Sequence, residues 1–582
     1  LTVEAELPTL PALRRRWLDR GPADEASVAT LHADLNLPVP LCRLLALRGR
    51  AEPGAARAFL KPRLDQLLDP FELPDMDAAV RRLEHALRSG ELILVHGDYD
   101  VDGICSTALF TRFLQSLGGR VVPFTPNRLR DGYDLGPAGV AAAKAAGATL
   151  ILTGDCGTVA YGAIEAARAA GIDVIVTDHH TPGTDLPAAV ALVNPNRLDS
   201  RYPDHGLAGV GVAFKLCQAI AAARGMPADS LWPWLDFVAV ATIADLAPLE
   251  GENRVLVRYG LRLLRETRNP GLRALLAVSG IDTAGAIGTG QISHGLAPRI
   301  NAVGRMGDAG RGVTLLLTDD AAEAGRLAAL ADEENRRRKS VDRETLRQAL
   351  EQLVRDYDPE RDFGIVLAAP EWHTGVIGIV ASRVVERVHR PTVLIAIDSA
   401  TGRARGSARS IAGFHLYEAI RDCGHLLQRF GGHRQAAGLE IEPGRIAEFR
   451  AAFNTRARAA LTPDDLTPPV WIDMDLRLAD GDLAMLELLR HFGPFGIGNA
   501  APVFACRGAT LARPPRTVGE GHLKLLVDDG TARVDAIGFG MAERVPRLAQ
   551  GSRIDVAFQL QLDEWNGRRR PQLRLLDIRE AG

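Results

Sequence analysis

Three stretches decide the fold: ILVHGDYDVDG (93–103), LILTGDCGT (150–158) and VIVTDHH (174–180). Each is a short apolar, β-rich run that stops in an acidic turn. A parallel strand that ends this way delivers its last side chains to the carboxyl edge of the sheet, where open α/β folds place their ligands. Asp98, Asp100, Asp102, Asp155, Asp178, His179 and His180 are therefore expected to converge at one edge. Crowded carboxylates raise one another's pKa and repel unless a divalent cation neutralises them, so the pattern predicts a metal site. A single Asp-x-Asp after a strand is often no more than turn or N-cap chemistry. Three such ends in succession are harder to explain that way.

Outward from these motifs, β-like runs at 92–96, 120–125, 149–154, 173–177 and 189–193 alternate with Ala-rich helical stretches such as PAGVAAAKAAGA (137–148) and AIEAARAAG (163–171). Strict alternation predicts an α/β domain built on a doubly wound parallel sheet. Residues 1–80 read as a mostly helical, Pro-punctuated lead-in, and 207–280 as helical throughout. Within the latter, WPWLDFVAVATIADLAPL (232–249) carries Asp245 near the end of an apolar helix. An unpaired Asp is costly to bury, which makes Asp245 the best candidate for a ligand supplied from outside the sheet.

Residues 319–357, almost free of Gly and Pro, predict one long connecting helix, with RRRK (336–339) as a solvated face. A second α/β unit is expected at 358–465, with strands near 364–369 and 392–398 and a helix begun at HTGVIGIVASRVVERV (373–388). Beyond the linker-like TPDDLTPP (462–469), short alternating runs at 503–508, 522–528, 533–539, 553–561 and 571–578 predict a small Greek-key β-barrel of the OB type over 466–582.

A chain of 582 residues exceeds one hydrophobic core. Its formal charge of -3 neither announces nor excludes a nucleic-acid partner, because acids gathered at a metal leave arginines to collect elsewhere. Lysine is confined to Lys61, Lys144, Lys215, Lys339 and Lys524, so nearly all positive charge is guanidinium. Six cysteines without a C-x-x-C pair read as buried thiols of a reducing compartment. No apolar run long enough to span a membrane and no signal-peptide pattern is present, which predicts a cytoplasmic protein without membrane contact. The chain starts at Leu1 instead of Met, as a trimmed N-terminus would.

The carboxylates with one or two imidazoles suit Mn²⁺ or Mg²⁺ better than zinc, since thiolates are missing and the donors are mostly hard oxygens. One carboxylate bridging two ions gives the arrangement that serves phosphoryl transfer, and Asp155, alone at the middle strand end, is the natural bridge. His180 would then be left for the substrate phosphate or proton transfer, so Asp155, Asp178 and His180 are the candidate catalytic residues. Arginines set among glycines at PRINAVGRMGDAGRG (298–312), GRARGSARSIAG (402–413) and RFGGHRQAAG (429–438) read as loops of a phosphodiester-binding cleft. Such a cleft with an OB-like barrel is what single-stranded nucleic acid needs.

HGDYDVDG (96–103), TGDCGT (153–158), TDHH (177–180), ATIADLAPL (241–249), RINAVGRM (299–306), HTGVIGIVASR (373–383), SARSIAG (407–413) and FGGHRQAAG (430–438), in this order, resemble the motif series of the DHH phosphoesterase superfamily. The similarity is to its bacterial single-strand-specific 5′→3′ DNA exonucleases. It runs from about residue 40 to the end, where GPFGIGNAAPVF (493–504) resembles the start of their OB domain. The resemblance implies a DHH catalytic domain at 81–318, a DHHA1 domain at 358–465, and action in DNA recombination and repair, with release of 5′-mononucleotides.

By position, the resemblance implies that Asp100, Asp102, Asp155, His179 and Asp245 bind two Mn²⁺ or Mg²⁺ ions, with Asp98 an added acid between them that joins the candidate metal residues and His96 where smaller relatives have a ligating His. Gly431, Gly432 and His433 would hold the scissile phosphate, and Ser407 and Arg409 a 5′-terminal phosphate. Arg299, Asn301, Arg305 and Arg383 lie in the same motif series as further phosphate contacts. Implied partners are single-strand binding protein and a RecQ-type helicase, with the chain acting as a monomer. Two departures stand out: Thr374 where Pro is expected, and Ala500 and Ala501 where a Pro and an acid usually follow Gly-Asn. The alternative activity is a small-molecule or short-oligonucleotide phosphoesterase of the superfamily, which would need neither the barrel nor this length. A non-catalytic scaffold would have lost acidic ligands.

Overall fold

The run Leu92–Gly97 is the second strand of a five-stranded parallel sheet ordered Arg120–Phe124, Leu92–Gly97, Leu150–Gly154, Asp173–Thr177, Ala191–Val193. The chain first moves outward to Arg120–Phe124 and then returns past its starting strand. Its direction therefore reverses between Leu92–Gly97 and Leu150–Gly154, the place where doubly wound sheets open a crevice at their carboxyl edge. Helices Val101–Ser116, Pro137–Ala146 and Tyr161–Ala169 make the crossovers. Ile93, Leu94, Val95 and Leu150–Leu152 are all buried, which is why these strands read as unbroken apolar runs and do not alternate.

The computed structural model describes residues 8, 10, 13–127, 130–306, 309–519, 521–544, 548–565 and 568–581. It divides into two compact units, one of Gly54–Arg336 with Leu489–Ala501, the other of Leu1–Pro53, Arg337–Leu488 and Pro502–Gly582. The first unit holds the parallel sheet and a helical layer that includes Gly209–Ala223, Leu235–Ala244, Gly251–Leu264 and Pro270–Val278. Every residue from Leu235 to Ile243 is buried, so this helix carries no polar stripe and Asp245 sits at its C-terminal cap. PRINAVGRMGDAGRG, expected as a loop, instead carries helices Ala297–Met306 and Gly310–Leu317. Its glycines serve packing: a Cβ at Gly304 would lie 2.3 Å from the Tyr99 carbonyl oxygen.

In the second unit a mixed sheet runs Leu427–Gly432, Ala436–Ile441, Arg403–Arg409, Thr392–Asp398, Ile365–Pro370, with the last two strands parallel. Arg403–Arg409, Leu427–Gly432 and Ala436–Ile441 occupy the stretches expected as Gly/Arg loops. The strand Arg403–Arg409 alternates as a half-buried strand should, but its inward residues Ala404, Gly406 and Ala408 are too small to register as an apolar run. A larger residue would collide, since a Cβ at Gly406 would lie 2.7 Å from Leu439 Cδ1.

Five strands, Phe504–Leu511, His522–Asp528, Arg533–Gly538, Arg553–Trp565 and Arg568–Glu580, close into a ring. The first pairs with the second and fourth, and the parallel pairing of third with fifth completes the Greek-key barrel. The lead-in contributes a strand as well as helices: Arg16–Asp19 pairs in parallel with Pro469–Ile472. Trp17 fastens it, with Nε1 donating to Asp577 Oδ2 at 2.8 Å and the Arg579 guanidinium 4.1 Å from the ring centroid.

The expected long helix is one element of 36 residues, Ala321–Asp356. Its RRRK segment is not wholly solvated, because Arg338 is buried, with its guanidinium 3.9 Å from Asp342. All six cysteines are buried thiols. Among the described residues no helix is long and apolar enough to cross a membrane.

Candidate metal centre

Each acidic strand end is fixed by backbone groups around it. Asp100 caps the helix Val101–Ser116, its Oδ1 accepting from the amides of Asp102 at 3.0 Å and Gly103 at 3.1 Å. The capping explanation of Asp-x-Asp is thus true of one oxygen of one residue. Asp102, inside that helix, turns inward and accepts from the amides of Gly209 and Val210 at 2.8 and 2.7 Å. Asp155 follows its strand with φ of 66°, a left-handed conformation that costs a non-glycine residue energy and persists where the surroundings demand it. Gly209 leaves room for it: a Cβ there would lie 2.6 Å from Asp155 Oδ1.

Two groups of donors result, Asp155 with His179 and His180, and Asp102 with His179 and Asp245, each with ligand atoms within 4.8 Å of one another. Asp245, from the end of an apolar helix, does join the strand-end residues. His179 Nε2 lies 3.2 Å from Asp155 Oδ1 and 3.8 Å from Asp245 Oδ2. The residue common to both groups is the imidazole and not Asp155; since a ring nitrogen has one lone pair to give, a bridging atom still has to be a carboxylate oxygen. Asp98 belongs to neither group but is buried beside them.

The donor set fits a divalent cation. Asp98 Oδ1, Asp155 Oδ1 and His179 Nε2 are buried and make no hydrogen bond, although His179 and Asp155 are close enough to do so. Burial and the charge of Asp245 push the Asp102 carboxyl up to about 7, and burial with the charge of Asp100 does the same to Asp245. Burial and neighbouring carboxylates likewise raise Asp98 and Asp155. These are the signs of acids arranged for a positive charge, and the oxygen-rich set with imidazole suits Mn²⁺ or Mg²⁺.

Asp178 and His180, the other two catalytic candidates with Asp155, form a pair of their own. Asp178 is no donor to either group: its Oδ2 accepts from Thr158 N at 3.0 Å and its Oδ1 from His179 N at 2.7 Å and His180 N at 3.2 Å. It is the floor that shapes the His-His backbone. His180, the candidate for phosphate contact or proton transfer, has its Nδ1 2.7 Å from Asp178 Oδ1 and its Nε2 2.8 Å from the Tyr133 hydroxyl. His96, fully buried, is pushed down to about 4 by that burial and is held as neutral imidazole against Cys156 Sγ at 3.5 Å.

Sequence reasoning missed Tyr133, Asp134, Asn194 and Asn196. Asp134 accepts from Gly157 N at 2.6 Å, Asn194 Nδ2 donates to His180 O at 2.8 Å and Asn196 Nδ2 to His179 O at 2.6 Å. The two asparagines sit in VNPN (193–196), a fourth strand end with a polar turn, and that signal was readable.

The chain matches the family models of the DHH family N-terminal domain over residues 92–242, the DHHA1 domain over 362–459 and the RecJ OB domain over 472–577. It is 39% identical over 558 residues to the single-stranded-DNA-specific exonuclease RecJ of Dickeya dadantii, covering 92% of this chain and 95% of that protein. The chain belongs to the RecJ family. RecJ of Bacillus subtilis is 36% identical over 568 residues, 97% of this chain and 71% of that protein. The crystal structure of RecJ in complex with Mn²⁺ from Thermus thermophilus superposes with a TM-score of 0.83 at 34% identity, covering 98% of this chain and 80% of that one.

The RecJ motif residues outside the metal groups are placed as follows. Arg299 spends its guanidinium on Asp332 at 2.8 Å and on the carbonyls of Gly295 and Val278, a structural tie and not an open phosphate contact. Asn301 Oδ1 accepts from Val101 N at 3.2 Å, steadying the start of the helix that carries Asp102. The side chain of Arg305 lies outside the described residues. In the second unit, Arg383 pairs with the buried Asp342 at 3.2 Å. Ser407 Oγ accepts from Arg409 Nη1 at 3.2 Å, and a Cβ at Gly378 would lie 2.9 Å from both Ser407 Oγ and Arg409 Nη2. Gly431, Gly432 and His433 are exposed at a hairpin tip closed by the His433 amide on the Ala436 carbonyl at 2.7 Å.

Proposed function

We propose that this chain degrades single-stranded DNA from its 5′ end to 5′-mononucleotides, as a metal-dependent exonuclease of DNA recombination and repair. The activity class follows from RecJ membership over nearly the whole chain, OB domain included, which also disfavours the small-molecule phosphoesterase alternative. The observation that carries the chemistry is the pair of donor groups meeting at His179 on the switch-point edge of the sheet. Polarity and product are finer than the class, and they are part of the proposal.

Asp100, Asp102, Asp155, His179 and Asp245 would hold Mn²⁺ or Mg²⁺, with Asp98 supporting charge behind them. The chemistry such ions would supply there is activation of a water and stabilisation of the charge that develops on a phosphodiester. The chain's own side chains do the rest. Asp178 orients His180 through its Nδ1, and in the metal-free chain that contact overrides the depressing effect of burial and carries His180 up to about 9. The Tyr133 hydroxyl meets the other ring nitrogen, Nε2, at 2.8 Å and holds the ring from its far edge. Asn194 and Asn196 grip the backbone carbonyls of His180 and His179 and fix both rings.

For the second unit, Ser407, Arg409 and the tip Gly431–His433 are proposed as phosphate contacts, supported by the Ser407–Arg409 pairing beside a helix start kept open by Gly378. The domain bounds 81–318, 358–465 and 466–582, a cytoplasmic location, a monomeric state, and partnership with single-strand binding protein and a RecQ-type helicase belong to the same proposal. A 5′-labelled and a 3′-labelled single strand, incubated with Mn²⁺ and sampled early, test it. Release of the 5′ label first, as a mononucleotide, is expected, and first release of the 3′ label overturns the polarity.

A further inference from the structure

Helix Leu235–Ala244 ends in a turn that suits glycine and holds leucine. Leu246 N donates to Ile243 O at 3.3 Å and Ala247 N to Thr242 O at 3.2 Å, the paired bonds that close a helix through one left-handed residue. Leu246 is that residue, with φ of 62°. Glycine adopts this conformation freely, whereas a Cβ opposes it. Burial of the side chain offsets such a cost elsewhere in proteins, but Leu246 is 61% exposed.

The turn around it is clamped. Ile243, Ala247 and Leu249 are buried, and Leu249 N donates to Ile497 O at 2.7 Å. Leu246 also directly follows Asp245, whose Oδ2 lies 3.8 Å from His179 Nε2. Leu198 is more exposed, at 87%, but it is not left-handed and adjoins no metal donor. A strained backbone, an exposed apolar side chain and a metal donor one residue away coincide at Leu246. Strain that gives nothing back in packing is retained where function uses it.

We propose that Leu246 is a substrate contact, an apolar wedge against which the nucleobase beside the scissile phosphate packs. This rests on the exonuclease reading given above. Single strands expose the apolar faces of their bases, and aliphatic side chains pack against or between bases in nucleic-acid complexes. Contact with a base face is indifferent to sequence, as removal of nucleotides one after another requires. A leucine also brings no donor atom that would compete for the cation.

The test uses the full-length chain with Mn²⁺, the variants Leu246→Gly and Leu246→Met, and two single-stranded oligonucleotides. One is ordinary; the other carries tetrahydrofuran abasic residues at the three terminal positions of each end. An aliphatic side chain packed on a base face is expected at the low end of what aromatic stacking gives, about tenfold in kcat/KM. The parent is expected to prefer the ordinary strand by about that factor, and Leu246→Gly to lose it on the ordinary strand while matching the parent on the abasic one. Leu246→Met should keep the preference, and the Tm of Leu246→Gly should equal or exceed that of the parent, since glycine relieves the turn. Equal losses on both strands, no loss on either, or a lowered Tm with the Gly variant overturns the assignment and leaves Leu246 as structural support. Failure of the parent to cleave either strand overturns the exonuclease reading itself, and the wedge with it.

Discussion

His180 Nδ1 sits 2.7 Å from Asp178 Oδ1, and each group displaces the other's titration. Burial works against both charges, yet the contact holds Asp178 down to about 2 and carries His180 up to about 9. The depressed carboxyl contributes stability above its ordinary value of 3.8 and loses it as pH falls through about 2; the raised imidazole contributes fully below 6.5 and loses it as pH rises through about 9. Asp178→Ala should therefore cost about 2 kcal/mol, less than a fully buried pair because His180 remains partly exposed. The cost should be greatest near pH 4–6.5, shrink as pH rises from there, and be least above about 9. Urea unfolding in chelator at several pH values measures it, and a gap of constant size across the range would count against the pair.

Asp102 and Asp245 predict the reverse for the metal-free chain. Both are raised from 3.8 to about 7, so across that window the folded state keeps protons that the unfolded state releases, and stability falls as pH rises. A bound cation displaces those protons. The gain in Tm from saturating Mn²⁺ over chelator should grow steadily between about pH 5 and about pH 8. A gain that is flat with pH means the cation binds elsewhere.

Asp155→Ala should reduce hydrolysis to below about one thousandth of the parent. In chelator the variant should be as stable as the parent or more so, because a raised, crowded carboxylate has gone. Turnover within about tenfold of the parent would remove Asp155 from the bridging position.

These expectations rest on residues that differ in how openly the sequence displayed them. The parallel sheet was legible almost to the residue, because strands such as Leu150–Gly154 are buried on both faces and spell continuous apolar runs. Asp245 was legible because an acid at the end of an all-buried helix is an anomaly. The strand Arg403–Arg409 was not, since its buried positions are Ala404, Gly406 and Ala408 and its exposed ones arginines. Tyr133 lies in an irregular stretch without periodicity, and only its bond to His180 reveals it. The roles of Asp178 and His180 depended on which way two neighbouring side chains turn, and strand-end spacing carries no such information.

Arg409, bonded to Ser407 at 3.2 Å, carries the expectation for the strand end. Arg409→Ala should raise KM for 5′-phosphorylated strands several-fold more than for 5′-hydroxyl strands, because a charge-assisted contact is lost only where the phosphate is present. An equal change in both KM values makes Arg409 a scaffold residue.

Anomalous diffraction from crystals grown with Mn²⁺ tests the metal centre most directly. Two peaks are expected, one at Asp155 and His179 on the side of His180 and the other among Asp102, His179 and Asp245. The absence of a peak at this edge of the sheet, or manganese bound only elsewhere on the chain, would contradict the two-ion assignment.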